Sequence, residues 1–347
     1  MTMAMSTATA TTIVAVSITN MTYQRKTILN YKHMINDRWR NEFFNSALHL
    51  FSKDKVVMDV GSGTGLLSFY ALEAGAEFVY AIEKQADSAS LTQDILSENF
   101  EQDRFCVLNI DFYTEALNNI NFQHKIDILV GEQVGPGLFD QGWLRTLDCA
   151  RPLLSEDAIT IPDSLSLDAW IYSNTKLEKN VDLDQKTITE PNLPNPDTVL
   201  SNAFAKTLVY KFLQVPVNND GSEVITQNPK LIINSKKDWC EVNKVDYQPT
   251  HKLKNVIHYS HKQMPDMIDQ ANPVINFNLQ LQSASTVALI NKISFQQKDL
   301  YLKDAKYMPW KYVPVIYCPE AGEYNFTYSN PNMDIFADNE WTAIKVN

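Results

Sequence analysis

Between Val56 and Gly65 the chain reads VVMDVGSGTG, a short β-branched run that ends in three alternating glycines. Glycines so closely spaced let a strand turn tightly into a following helix and leave the backbone open to close approach by a ligand. Leu66–Ala74 has the pattern of that helix, and Phe78–Ile82 (FVYAI) reads as a second buried strand. Phe105–Leu108 and Ile126–Val130 (IDILV) read as further strands. Strands that alternate with helices predict an α/β fold with a parallel, doubly wound sheet.

Ahead of the first strand, residues 31–51 carry apolar groups at helical spacing, with Met34, Ile35, Trp39, Phe43, Phe44, Ala47 and Leu48 available for one buried face. The pattern changes near Pro152. Beyond Ala158 the chain breaks into short alternating segments: Thr207–Val215, Leu231–Asn234, Asn255–Tyr259, Val274–Leu281, Thr286–Phe295, Tyr312–Cys318 and Trp341–Val346. Such a series predicts an antiparallel sandwich or barrel. The expected organisation is a loosely ordered leader over 1–24, a Rossmann-like domain over 25–154 and a β-barrel-like domain over 155–347. Residues 173–204, with three prolines and mixed charge, form an excursion from the β unit.

Composition narrows the class. At 347 residues, with 44% hydrophobic and 20% charged residues, the chain is globular in character. Its 30 Lys+Arg against 41 Asp+Glu give a net charge of −11, which disfavours direct binding to nucleic acid and suits a cationic substrate. Cys106, Cys149, Cys240 and Cys318 lie far apart, as free thiols of a reducing compartment would. No metal site is expected, since no ligand spacing of the zinc type occurs. The leader has no charge before Arg25, and its apolar stretch Ile13–Ile18 is too short to span a bilayer. No membrane partner is expected, and the cytoplasm is the expected location, with the nucleus as the alternative.

The glycine loop points further. Its spacing is G-x-G-x-G, one residue shorter than the dinucleotide fingerprint G-x-G-x-x-G. Asp59 stands two positions before Gly61. Glu83, which closes the second strand 24 positions after Asp59, is placed where a carboxylate can accept both ribose hydroxyls. Asp59, Gly61, Ser62, Gly63, Thr64 and Gly65 together resemble the S-adenosylmethionine loop of class I methyltransferases. Asp111, at the end of a strand, is a candidate acceptor for the adenine amino group, with a solvated strand-end aspartate as the other reading. Met34 is a candidate neighbour of the cofactor sulfur, or else a core residue.

The run Val56–Lys84 (VVMDVGSGTGLLSFYALEAGAEFVYAIEK) resembles the cofactor-binding stretch of the protein arginine N-methyltransferases. Met34-Ile35-Asn36-Asp37-Arg38-Trp39-Arg40 is similar to that family's M-L-x-D-x-x-R helix, with Tyr31 where the family has a histidine. The resemblance covers about residues 22–347, closely in the cofactor half and by pattern alone in the barrel. It implies S-adenosyl-L-methionine as cofactor, with Arg40 on its carboxylate, a chemistry that suits the bidentate guanidinium. It also implies an arginine-containing protein or peptide as acceptor, and a homodimer or a heteromer with a related chain through an arm at 173–204.

In that family two carboxylates nine residues apart clamp the acceptor guanidinium. Glu132 matches the first, and the second position holds Gln141. The exchange removes a negative charge from the clamp. Asp140 is adjacent, and would substitute only after a one-residue register shift that its shorter side chain disfavours. The family's T-H-W tripeptide is matched by Met308-Pro309-Trp310, which keeps the tryptophan as a substrate-side or core residue and loses the histidine. These departures leave two other readings open: a catalytically impaired regulatory or scaffold partner, and a methyltransferase acting on a different, neutral nitrogen.

Overall fold

The computed structural model describes residues 31, 34–115, 122–135, 142–177, 203–204, 239–240, 248–260, 274–296, 298–304, 313–329 and 340–346. The fold is mixed α/β, with a five-stranded parallel sheet followed by antiparallel sheets. The parallel sheet comprises β1 (Val56–Val60), β2 (Phe78–Ile82), β3 (Phe105–Leu108), β4 (Ile126–Val130) and β5 (Leu154–Ile161), in the order β3-β2-β1-β4-β5. The four strands read from the sequence are thus in place. The sheet also takes in Leu154–Ile161, so it runs past the boundary expected at residue 154.

The chain order reverses between β1 and β4, and the register brings the strand ends level. Val60 pairs with Ile82, Asp59 with Val130, and Val130 with Ile161. The segments that follow β1, β2 and β4 therefore emerge side by side at the carboxyl edge, where open α/β sheets bind ligands.

Helix α1 spans Arg38–Phe51 and is capped by Asp37, whose carboxylate accepts a hydrogen bond from the Arg40 backbone N–H at 3.2 Å. Arg40, Phe43, Phe44, Ala47 and Leu48 turn inward, whereas Trp39, expected on the buried face, is 56% exposed. Helix α2 (Leu66–Glu73) follows the glycine loop and is buried over all but its last residue. Helices α3 (Ala86–Asn99), α4 (Phe112–Glu115) and α5 (Trp143–Ala150) follow along the chain.

The second half contains β6 (Ser164–Ser173), β7 (Trp239–Cys240), β8 (His251–Ser260), β9 (Val274–Leu281), β10 (Ser285–Phe295), β11 (Lys298–Tyr301), β12 (Val313–Cys318), β13 (Gly322–Ser329) and β14 (Glu340–Lys345). One sheet has the order β7-β12-β10-β6-β8 with β11 paired to β10, and a second has the order β14-β13-β9. The antiparallel expectation holds for the strands around 255, 274, 286, 313 and 341. The segments Thr207–Val215 and Leu231–Asn234 lie outside the described residues, as do the leader and most of the 173–204 excursion.

Strand β10 is buried along its whole length because both of its faces are covered. Val287, Leu289, Ile293 and Phe295 join the main core shared with the parallel sheet, while Ala288 and Ile290 pack with Tyr172 and Val313 on the other side. The halves also meet where the Phe51 ring lies edge-on to Phe295, 5.3 Å between centroids.

Candidate active site

The glycine loop is a backbone demand. Gly61, Gly63 and Gly65 have φ of +76°, +58° and +77°, the left-handed region that other residues enter at a cost. Close contact adds a second constraint at Gly63, where a Cβ would stand 3.0 Å from the Tyr31 ring. At Gly65 it would meet Thr92 Cγ2 at 2.8 Å.

Two carboxylates tie the loop down. Glu83 Oε2 accepts from the Gly63 N–H at 2.9 Å, and Oε1 accepts from the Gln85 N–H at 2.7 Å. The residue expected on a ribose thus also braces the loop, with carboxylate lone pairs remaining. Asp59 Oδ2 accepts from the Ser68 N–H at 3.0 Å and from its hydroxyl at 2.7 Å, which anchors the first turn of α2. Asp59 Oδ1 and Ser62 Oγ are buried without a hydrogen-bond partner. Burial pushes the Asp59 carboxyl up to about 6, against the opposing pull of Ser68 and the Arg40 charge.

Across this loop lies a buried ion pair. Arg40 Nε and Nη2 both reach Glu132 Oε2 at 3.0 Å, and Nη1 donates to Asn41 Oδ1 at 2.9 Å. The two side chains are 6% and 5% exposed. Burial raises the Glu132 carboxyl to about 7, although Arg40's charge and hydrogen bonds lower it. Gly131 precedes Glu132 because the backbone passes the Trp143 ring closely, and a Cβ there would stand 2.9 Å from Cζ3.

A cleft joins these parts. Tyr31, Met34, Arg40, the loop from Gly61 to Thr64, and Glu132 line it together with Ile35, Leu66 and Leu67. Of the residues singled out in the sequence, Met34, Arg40, Gly61, Ser62, Gly63, Thr64 and Glu132 line this one cleft, whereas Asp59, Gly65 and Glu83 are not among its lining residues. Asp111 is placed elsewhere, at the start of α4, where Oδ2 accepts from Lys84 Nζ at 2.6 Å and Oδ1 from the Tyr113 N–H at 3.1 Å. The Lys84 hydrogen bond holds its carboxyl below the usual range. Asp140, Gln141 and Trp310 lie outside the described residues.

Sequence reasoning missed two contributors. Tyr31 stands against Gly63 in the cleft, and its phenol pKa is raised by burial and by the nearby Glu83 and Glu132 charges. Its place three residues before Met34 was the available signal. Gln133 carries its amide next to Gly61, where a Cβ would lie 3.2 Å from Nε2. Its Oε1 accepts from the Thr146 hydroxyl, which in turn meets the Tyr113 hydroxyl at 3.1 Å. No local sequence signal links those three residues.

The cradle fits a cofactor with cationic, carboxylate and hydroxyl groups. The orphaned Asp59 Oδ1 and Ser62 Oγ need polar partners, the side-chain-free glycines leave room for close approach, and Arg40 offers a guanidinium.

No family model matches the chain. Over 138 residues it is 36% identical to protein arginine N-methyltransferase 1 of Caenorhabditis elegans, a stretch covering 37% of this chain and 36% of that protein. It is 30% identical over 134 residues to the histone-arginine methyltransferase CARMER of Anopheles gambiae, covering 38% of this chain and 21% of that one. The matched stretch thus spans about a third or less of those relatives' length. Among solved structures, PRMT6-SAH superposes with a TM-score of 0.57 at 16% identity, covering 91% of this chain and 100% of the other. Protein arginine methyltransferase 10 of Arabidopsis thaliana gives 0.52 at 14%, covering 94% and 98%. The resemblance to the protein arginine N-methyltransferases therefore holds in sequence over somewhat more than a third of the chain, and in fold over nine-tenths of it.

Proposed function

We propose that the chain is an S-adenosylmethionine-dependent methyltransferase whose acceptor is an arginine guanidinium in a protein or peptide. The observation that carries this reading is the buried Arg40–Glu132 pair facing the glycine cradle in one cleft. Sequence similarity to enzymes named for arginine methylation supports it.

Arg40, Asp59, Ser62, the loop glycines and Glu83 would hold the cofactor, with Met34 and Tyr31 closing against it. When bound, that cofactor supplies an electrophilic methyl group on a sulfonium. The protein's task is then to orient the acceptor nitrogen for in-line attack while excluding water. Arg40 occupies one oxygen of Glu132. As the carboxylate, Glu132 would accept N–H bonds from the acceptor and draw its positive charge away from the attacking nitrogen. The net charge of −11 favours approach of a cationic segment. We assign the assembly to a dimer of this chain or a heteromer with a related one, on the strength of the family resemblance.

The test is incubation with S-adenosylmethionine and an Arg/Gly-rich peptide, followed by mass spectrometry. Methyl mass gained on arginine, and lost in Glu132→Gln, is the expected result. Cofactor binding with no gain on arginine would overturn the acceptor assignment in favour of a scaffold or a different nitrogen.

A further inference from the structure

Strand β10 presents Val287, Leu289, Asn291 and Ile293 in alternation toward one side, and all but Asn291 are apolar members of the main core. Asn291 is 2% exposed. A carboxamide in such a row is costly to bury unless it makes a specific bond. Its Nδ2 donates to the Gly135 carbonyl at 3.0 Å, 156 residues away in the chain. Gly135 lies three residues beyond Glu132, in the segment that leaves β4. Val134, between them, is fully packed at 1% exposure, so the chain from Glu132 to Gly135 has little slack. Among the described residues, Lys298 Nζ on Ser46 Oγ at 3.1 Å is another polar contact between the two halves, and it falls on α1.

We propose that Asn291 is a positioning residue for the acceptor: through the Gly135 carbonyl, the antiparallel half fixes the course of the segment that carries Glu132. The catalytic consequence rests on the arginine-methyltransferase reading, whereas the tether itself does not. A fixed carboxylate matters because in-line transfer tolerates little misplacement, and an error of about 1 Å can cost on the order of a hundredfold in rate.

Asn291→Leu completes the apolar row and removes the tether; Asn291→Ala serves if the leucine side chain does not fit. Three quantities are measured on the full chain: amide hydrogen exchange over 131–135, the S-adenosylmethionine Kd, and kcat/KM for an Arg/Gly-rich peptide. The expected result is faster exchange over 131–135, a cofactor Kd within about twofold of the parent, and kcat/KM for the peptide lower by about ten- to a hundredfold. Unchanged exchange overturns the tether. Faster exchange with unchanged kcat/KM overturns the positioning role, as does a loss of cofactor affinity equal to the loss of turnover. If the parent chain methylates no arginine, the functional reading fails on its own, and the exchange measurement still decides whether Asn291 holds the segment.

Discussion

The parallel half and the antiparallel half hold their buried charges differently. In the antiparallel half the buried charges are matched within the sheet. Lys292 Nζ lies 3.1 Å from both Asp299 Oδ2 and Asn255 Oδ1, Asp168 Oδ1 accepts from the Asn255 N–H at 2.8 Å, and Ser166 Oγ meets His258 Nδ1 at 2.9 Å. In the parallel half Asp59 keeps one oxygen without a partner, Ser62 keeps its hydroxyl unpaired, and Asp59 and Glu132 are both raised in pKa by burial. A fold spends stability on unsatisfied groups where a ligand will complete them. On the proposed function, the chemistry lies in the first half and the second has a supporting part.

The sharpest way to break this comparison is to neutralise Glu132. Glu132→Gln leaves Arg40 buried without its countercharge and takes the negative charge from the acceptor side. Turnover should fall by about 10²–10³-fold, read as initial rate on an Arg/Gly-rich peptide. The parent's own pH profile gives the same information in finer form. A carboxyl raised to about 7 is protonated below that pH in the free protein, so kcat/KM should climb as pH rises through about 7. A profile flat from pH 6 to 8 (roughly one unit either side of neutral) would remove Glu132 from the acceptor site.

Asp59→Asn should separate function from stability. A group whose folded pKa is raised contributes stability below its unfolded value and loses that contribution as pH rises through the folded value, here about 6. Above that pH the neutral amide, still able to accept from Ser68, should unfold less readily by on the order of 1–3 kcal/mol, while cofactor affinity drops. A denaturant midpoint at pH 8 (about two units above the Asp59 value) that is no higher than the parent's would contradict the cost assigned to burying this carboxylate.

Gly65→Ala should cost about 1–3 kcal/mol, because its φ of +77° and the Thr92 methyl at 2.8 Å both oppose a side chain. Thermal unfolding measures it. The smallest effect belongs to the second half. Ser166→Ala loses one hydrogen bond to His258, about 0.5–1.5 kcal/mol, and should leave cofactor affinity unchanged.

The parts of the fold that sequence reading recovers are those in which a local rule decides the structure. VVMDVGSGTG reads as a strand entering left-handed turns, and the expected roles of Arg40, Asp59 and Glu132 come from the family pattern laid on it. Trp39 shows the limit of periodicity: Phe43, Phe44, Ala47 and Leu48 of the apolar series turn inward, while Trp39 falls outside the buried face of α1. Asp111 shows a second limit, since its partner Lys84 is distant in sequence and the strand-end position is compatible with both readings. The Gln133–Thr146–Tyr113 chain and the Asn291–Gly135 bond depend on tertiary contact alone, and no spacing announces them.

On the proposed function, this cleft binds S-adenosylmethionine through Arg40 and the glycine cradle. Isothermal calorimetry of the parent chain and of Arg40→Ala with S-adenosylmethionine tests it most directly. The expected result is saturable one-to-one binding to the parent and affinity weakened by about tenfold or more in Arg40→Ala, through loss of a buried charge-assisted contact. No binding heat in the parent, or undiminished affinity in the variant, would contradict it.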